Sequence, residues 1–313
     1  MRTGYTDVHA HLWSTAYLDR LESYGRGDTA GQRGLGAGDT EPELAVRFAD
    51  NDAAGIAHQI LSVSPQVPHF AELGHAVSAA RHANDLYAEV ADRCPGRFSA
   101  FAALPLPHVD AALVELHRAL DELGMVGVAV TTDVLGRALT DPAFLPLFEE
   151  LDRRGSVLQL HPSGRAAGAP LIAGHRMRWM VGAPVEDTVA AMQLILAGHP
   201  RRFARLRILN AHLGGALPML LPRADEHLRW EAPDVLEPPT VAARRMFYDT
   251  VVHGHAPAVR CAAESVGADR LLLGTDFPYQ SGPQLVRAVA TLHAALSPAE
   301  AQSALNGGAA LLG

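Results

Sequence analysis

Residues 5–12 read YTDVHAHL, a stretch in which apolar side chains alternate with polar ones. This alternation predicts a β-strand, because successive side chains of a strand point to opposite faces. His9 and His11 are two residues apart, so they are expected to share one face. The sequence therefore predicts a first strand over residues 5–10 whose C-terminal end carries two imidazoles that can hold one cation.

Further apolar or β-branched runs follow at fairly even spacing, and the segments 71–93, 110–123 and 143–154 between them have helical periodicity. Strands that alternate with helices predict a parallel sheet, and about eight such units predict a closed barrel. We expect one α/β domain over residues 1–313, a distorted (β/α)8 TIM-like barrel. The later predicted strands are 59–64, 98–106, 127–132, 157–162, 207–212, 246–252 and 271–277.

The main alternative fold is an open doubly wound sheet. Such a sheet is expected to carry a glycine-rich phosphate turn after its first strand. Residues 13–20 read WSTAYLDR and contain no such turn, which favours the barrel. Two glycine-rich segments interrupt the pattern, and we predict a loop over the barrel mouth at about residues 25–40 and a second loop at 164–174.

Composition excludes several classes of function. The chain of 313 residues has 26 Lys and Arg against 34 Asp and Glu, a formal charge of −8 and no basic run, which disfavours nucleic-acid binding. No apolar stretch approaches the ~20 residues that span a bilayer, so no membrane association is expected. The N-terminus resembles no secretory signal and only two cysteines are present, so we predict a cytoplasmic protein.

Three more polar residues end predicted strands. They are His161 in LQLHPSG, His212 in ILNAHLGG and Asp276 in LLLGTDFPY. Active sites of barrels of this kind lie at the C-terminal ends of the strands. Together with the first H-x-H pair, these residues predict a metal centre there. A ligand set of three imidazoles and one carboxylate drawn from these residues suits Zn(II) best, with Mn(II), Fe(II) or Co(II) as alternatives.

Other polar residues are weaker candidates. Asp7 precedes His9 by two residues, so we expect it on the same strand face, where it could orient an imidazole. His253 and His255 form a second H-x-H after the seventh predicted strand. One of them could reach the pocket rim, although loop histidines are the simpler interpretation.

An ordered set of segments resembles the amidohydrolase superfamily, in its branch related to aminocarboxymuconate-semialdehyde decarboxylase. The resemblance runs over nearly the whole chain. Its segments are DVHAH (7–11), DAAGIAHQILSVSP (52–65), GRFSAFAALPL (96–106), LQLHPSG (158–164), WMVGAPVEDT (179–188), ILNAHLGG (208–215), LLLGTDFPY (271–279) and NGGAALLG (306–313).

The resemblance implies roles for single residues. It implies that one divalent ion is bound without an organic cofactor, that His212 is an acid/base beside it, and that Arg223 holds a substrate carboxylate, sometimes across a dimer interface. Trp179 is either a substrate wall or core packing. The chain is accordingly expected to form a homodimer. The implied metal ligands are His9, His11, His161 and Asp276, of which Asp276 could also deliver a proton.

The implied reaction is the non-oxidative decarboxylation of a small aromatic or conjugated enol carboxylic acid. One alternative is metal-dependent hydrolysis of a lactone, amide or ester, and another is a binding module without activity. The chain also departs from the decarboxylase that names the branch. Pro162-Ser163-Gly164 replaces Pro-Trp-Asp. The arginine that the decarboxylase carries in the region before Glu41 has no clear counterpart here, although Arg33 is close. Both departures leave the substrate open.

Overall fold

The computed structural model describes residues 4–164, 172 and 175–311. Eight strands form one sheet in which every neighbouring pair is parallel and follows chain order. A short antiparallel hairpin, β5 and β6, lies outside this sheet. The strands are β1 (Tyr5–His11), β2 (Ile56–Ser62), β3 (Phe98–Ala103), β4 (Gly127–Thr131), β5 (Asp133–Val134), β6 (Arg137–Ala138), β7 (Val157–His161), β8 (Arg207–Asn210), β9 (Phe247–Asp249) and β10 (Leu271–Leu272).

The two edges of this sheet meet and close a barrel. The backbone N–H of Asp276 donates to the carbonyl of His9 at 2.8 Å, and that of His11 donates to the carbonyl of Phe277 at 2.8 Å. These bonds join β1 to the segment that follows β10. The predicted (β/α)8 barrel is confirmed.

The last two strands are shorter than the sequence predicts. Regular pairing covers three residues in β9 and two in β10, where runs of seven were expected. After β10 the chain comes very close to its neighbours, since a Cβ on Gly274 would lie 2.8 Å from the Cβ of Asp249. Asp276 then has a φ of +62°. This irregular backbone is the distortion of the barrel. It carries Asp276, the carboxylate that follows the eighth strand of the barrel.

Helices cover the barrel. The three predicted helical segments correspond to the helices at 73–93, 109–117 and 145–154, the last two together with an adjoining π or 3-10 turn. Glu72 caps the longest one by accepting from the backbone of Gly74 and His75, and Gly155 ends another in the left-handed region. The helices whose bounds lie within the described residues are α1 (Thr15–Ser23), α2 (Glu41–Ala53), α3 (Leu73–Arg93), α4 (Val109–His117), α5 (Leu145–Arg154), α6 (Ala183–Leu196), α7 (His199–Arg202), α8 (Leu217–Glu231), α9 (Pro239–Ala243), α10 (Ala256–Val266), α11 (Pro283–Ala295) and α12 (Pro298–Gly307).

Two apolar clusters hold the fold together. The larger one packs the outer faces of the strands against the helices. The smaller one fills the barrel interior below the polar strand ends, and it excludes water from beneath the site. Its members are Val8, Ile60, Phe101, Ala129, Val157, Leu209, Leu272 and Leu311.

The glycine-rich segment at residues 25–40 lies beside the carboxyl ends of the strands. Ala37 accepts from the backbone N–H of Trp13 at 2.9 Å, and the Gln32 amide is hydrogen-bonded to the Tyr279 hydroxyl at 2.8 Å. Most of the predicted second loop, residues 165–171 and 173–174, lies outside the described residues. Among the helices that the structure describes, none has the length and hydropathy needed to cross a bilayer.

Candidate metal centre

Four buried side chains converge at the mouth of the barrel. His9 and His11 extend from β1, His161 ends β7, and Asp276 follows β10. The Nε2 atoms of His9 and His11 are 3.2 Å apart, and Asp276 Oδ1 lies 3.3 Å from the first and 3.1 Å from the second. His161 completes the set, and each residue offers one ligand atom within 4.8 Å of the others.

The second nitrogen of each imidazole faces an oxygen. An Nδ1–H that donates to this oxygen leaves the Nε2 lone pair free to face the other ligands. An oxygen at Nδ1, on the side of the ring away from the other ligands, therefore fixes the orientation of all three rings. The contacts are His9 Nδ1 to Asp249 Oδ2 at 2.7 Å, His11 Nδ1 to Ser62 Oγ at 3.1 Å, and His161 Nδ1 to the Pro162 carbonyl at 2.9 Å.

This arrangement calls for positive charge at its centre. Three nitrogen lone pairs and a carboxylate repel one another at about 3 Å unless a cation or shared protons lie between them. Burial opposes the charged form of His9, yet Asp249 and Asp276 raise its pKa to about 9, whereas burial lowers the pKa of His11 to about 4. Burial opposes the charged form of Asp276, yet the nearby imidazoles of His11, His212 and His9 hold the pKa of this carboxyl well below its usual range. The donor set fits one divalent cation.

His212 lies next to this set and is held by a second carboxylate. Its Nδ1 is 2.9 Å from Asp187 Oδ2, and its Nε2 is 3.8 Å from Asp276 Oδ2. Burial opposes charge on this ring, but the carboxylate of Asp187 raises its pKa well above the ordinary value. Its φ of +51° is uncommon for a residue with a side chain. The ring therefore lies beside the candidate metal ligands, where an imidazole can exchange a proton.

Asp249 was missed by the sequence analysis, although it links the two parts of the site. One oxygen, Oδ2, contacts the ring of His9, and Oδ1 accepts from the backbone N–H of His212 at 2.9 Å. The sequence did carry a signal for Asp249, because it is a carboxylate within a predicted strand, as Asp276 is. In the structure Asp249 ends β9 and Asp276 follows β10. Asp187 was missed as well, since its position on a helix gave no such signal.

Glu186 fixes the loop after His161. Its Oε2 accepts from the backbone N–H groups of Ser163 and Gly164 at 2.7 and 3.1 Å and from the Thr132 hydroxyl at 3.0 Å. The carboxylate is buried, so these charge-assisted bonds are expected to hold the loop firmly. The Ser163-Gly164 pair, which departs from the branch pattern, is thus anchored by this chain's own residues.

The expectation that Asp7 shares the face of His9 is corrected. The pairing of β1 with β2 shifts register between Asp7 and Ala10, so the two-residue rule fails across this irregularity. The Asp7 carboxylate accepts from the Gln59 side chain and from the backbone N–H of Thr275 and His9. It fixes the backbone of β1 and contacts neither imidazole ring, and Asp249 orients His9 instead.

A cavity of about 660 Å³ opens above the cation site. Two of the candidate metal ligands, His161 and Asp276, line it together with His212, and His253 and His255 line it as well. The remaining walls are mostly apolar. They are formed by Trp179, Met180, Ala183, Pro184, Gly215, Val251, Val252, Ala258 and Tyr279.

The two arginines considered in the sequence analysis lie elsewhere. Arg223 is exposed on α8 and is not among the described residues that line the cavity. Arg33 is engaged in ion pairs with Asp19 and Glu22 at 2.6 and 2.8 Å. Within the described part of the chain, no lysine or arginine lines this cavity.

Sequence comparison finds related enzymes over most of the chain. The gamma-resorcylate decarboxylase of Rhizobium radiobacter is 32% identical over 277 residues, which cover 79% of this chain and 83% of that protein. The 2-amino-3-carboxymuconate-6-semialdehyde decarboxylase of Dictyostelium discoideum is 27% identical over 299 residues, 88% of this chain and 82% of that protein. Both relatives are carboxy-lyases, in agreement with the predicted reaction class.

A solved structure matches the fold. The crystal structure of a dihydroxybenzoic acid decarboxylase from a Polaromonas species contains bound manganese and the inhibitor 2-nitroresorcinol. It has a TM-score of 0.85 and 24% identity, and the match covers 99% of this chain and 97% of that one. The likeness confirms the barrel. The family model described as amidohydrolase matches residues 6–312. This chain therefore belongs to the amidohydrolase family, in the branch that contains these decarboxylases.

Proposed function

We propose that this protein is a metal-dependent decarboxylase that releases CO2, without oxidation, from a small aromatic or conjugated enol carboxylic acid. One observation carries the proposal, namely the convergence of His9, His11, His161 and Asp276 under a cavity with mostly apolar walls. The decarboxylase relatives support the same reaction class.

The four converging side chains would hold the ion, and no organic cofactor is required. A divalent ion at this position supplies Lewis-acid stabilisation of negative charge on the substrate's oxygens. Zinc remains our preferred metal on ligand chemistry, and manganese is the main alternative because the Polaromonas enzyme holds it. Iron and cobalt are further alternatives.

His212 and Asp276 are the groups that would manage the proton. The bond between the ring or alkene carbon and the carboxylate breaks, its electron pair stays on that carbon, and CO2 leaves. One proton must then reach the same carbon, from Asp276 or from water beside it. His212, at 3.8 Å from Asp276 and held by Asp187, would replace that proton.

The walls of the cavity fit the flat apolar body of such an acid. Trp179, Met180, Val251, Val252 and Tyr279 offer aromatic and aliphatic surface next to the metal end. Aromatic faces pack well against a conjugated ring. Trp179 is 47% exposed, so it suits a wall that a substrate covers better than a residue of the core.

A homodimer is part of the proposal, since α6 and α8 expose several large apolar side chains. Val185, Val189, Met219 and Trp230 lie on these helices, and Arg223 is exposed beside them. A second copy would cover this surface. It would also bring Arg223 into an interface, where it could serve a partner's cavity. Sedimentation of the protein and of Met219→Glu tests this, with dissociation expected for the variant.

A cytoplasmic location also stays a prediction.

The reaction is tested by CO2 release. Protein stripped of metal and reconstituted with Zn(II) or Mn(II) is incubated with salicylate, 2,6-dihydroxybenzoate and other hydroxylated aromatic acids, next to the variant His212→Asn. The proposal expects CO2 from at least one acid, in a metal-dependent reaction that the variant slows by about 100-fold or more. Hydrolysis of a lactone or ester with no CO2 from any acid would contradict it.

A further inference from the structure

We infer that His253 and His255 form a second binding subsite, which holds an oxygen-bearing substituent of the substrate remote from its metal-bound carboxylate. The inference rests on the proposed function and extends it to a class of substrate. That class is an aromatic acid with a hydroxyl or a second carboxylate at the far end of its ring.

Both histidines line the same cavity as His212 and Asp276. Both residues are exposed, and within the described part of the chain neither imidazole is hydrogen-bonded to another residue. Tyr279 also lines the cavity, and its hydroxyl is already hydrogen-bonded to Gln32. Apart from the residues at the metal end, the two imidazoles are therefore the described groups that can still both donate and accept a hydrogen bond.

The backbone of the loop that carries the two histidines has a defined turn geometry. The backbone N–H of His255 donates to the carbonyl of Val252 at 2.9 Å. Gly254 has a φ of +87°, and a Cβ there would lie 2.9 Å from the Cδ of Arg287 on α11. A φ in this region favours glycine, because side chains of other residues strain the backbone there. The glycine and the His255–Val252 hydrogen bond together define the H-G-H turn at the cavity edge.

His253 has an unusual backbone for its residue type. Its φ is +51°, in the left-handed region that glycine and asparagine tolerate best. Strained residues of this kind concentrate at binding and catalytic sites, where the surrounding structure holds them in place. The side chain of His253 is thus held at the cavity by a left-handed backbone conformation, which an unconstrained loop rarely adopts.

The chemistry of the cavity then defines the ligand. A carboxylate is bound at the metal end, an apolar body fits against the aromatic and aliphatic walls, and a hydrogen-bonding group meets the imidazoles. Imidazole can donate to a carboxylate, and it can donate to or accept from a hydroxyl. A methyl group of the same size gains nothing from the pair.

Matched substrates isolate this hydrogen bond from size. We compare salicylates with a hydroxyl or a methyl group at position 4 or 5, and 4-carboxy- and 5-carboxysalicylate separate a second carboxylate from a hydroxyl. The measurements are kcat and KM for CO2 release and, by calorimetry, binding to metal-loaded protein. The double variant His253→Gly/His255→Ala removes both rings and tolerates the left-handed backbone. His253→Asn keeps a polar group at the first position. The control is His293→Ala, which removes an exposed imidazole on α11.

We expect wild type to prefer an oxygen substituent over methyl at one ring position, mainly through KM. The double variant should lose this preference by about three- to tenfold, the range for one neutral hydrogen bond, and His253→Asn should retain part of it. Equal effects of the double variant on oxygen- and methyl-bearing acids, or no effect on either, would overturn the inference. Binding separates this outcome from failure of the proposed function, because discrimination in binding does not require turnover.

Discussion

The chain contains two H-x-H motifs, and they have different environments. His9 and His11 lie on a seven-residue strand, fully buried, with their Nε2 atoms 3.2 Å apart. His253 and His255 lie in a loop, exposed, on either side of a glycine with positive φ. The first pair faces Asp276 and His161, whereas the second lines the outer part of the same cavity.

The difference shows that spacing alone does not make a pair of metal ligands. In β1 the backbone directs both rings to one point, and an oxygen behind each ring fixes which nitrogen faces that point. The loop motif lies outside any strand, and among the described residues no oxygen is hydrogen-bonded to either of its rings. The two pairs should therefore respond to mutation in different ways.

The largest expected effect separates the two motifs directly. His11→Ala removes a ligand from a buried cation site, so it should abolish stoichiometric metal binding and lower activity by about a thousandfold or more. His255→Ala should retain one metal equivalent per chain. Elemental analysis after gel filtration measures both. Equal metal loss in the two variants would remove the distinction.

Asp249→Asn tests the oxygen behind His9. The substitution weakens a 2.7 Å contact to a carboxylate that sets the tautomer of a metal-binding ring. Metal affinity is expected to fall by about 10- to 100-fold. Competition with a fluorescent chelator gives the dissociation constant. An unchanged constant would mean that the ring is oriented by other contacts.

Asp187→Asn tests the proton path without touching the metal ligands. An amide holds His212 less well and leaves it a weaker base, so kcat should fall by about 10- to 100-fold while metal content stays the same. Rapid-quench or steady-state CO2 release measures kcat. Loss of metal together with kcat would show that Asp187 supports the fold of the site and not proton exchange.

Ser62→Ala has the smallest expected effect. It removes a neutral hydroxyl 3.1 Å from His11 Nδ1, and the Ser62 carbonyl remains 3.4 Å from the same nitrogen. Metal affinity should fall only about three- to tenfold, less than for Asp249→Asn. The same chelator competition compares the two variants. A larger loss than for Asp249→Asn would reverse the proposed order of the two supports.

Much of this site could be predicted because local patterns encode it. Alternation placed His9 and His11 on one face, and apolar runs ended at His161 and Asp276. The barrel then brings strand ends together whatever their separation along the chain. The pattern failed at Asp7, because a register shift in β1 is not visible in the alternation of residues.

The supporting carboxylates could not be predicted in the same way. Asp249 contacts a ring 240 positions earlier in the sequence, and Asp187 reaches His212 from a helix. Such contacts depend on how α6 and the barrel pack, which periodicity does not report. The role of Arg223 depends on a second subunit, so it stays a prediction of the family resemblance.

The central claim is that one cation is held by side chains from β1, from the end of β7 and from the segment that follows β10. Anomalous diffraction from crystals of metal-loaded protein, at the zinc or manganese absorption edge, tests it most directly. The account predicts a single strong peak about 2.0–2.3 Å from the Nε2 atoms of His9, His11 and His161 and from a carboxylate oxygen of Asp276. A metal-saturated crystal with its peak elsewhere, or with none between these atoms, would contradict it.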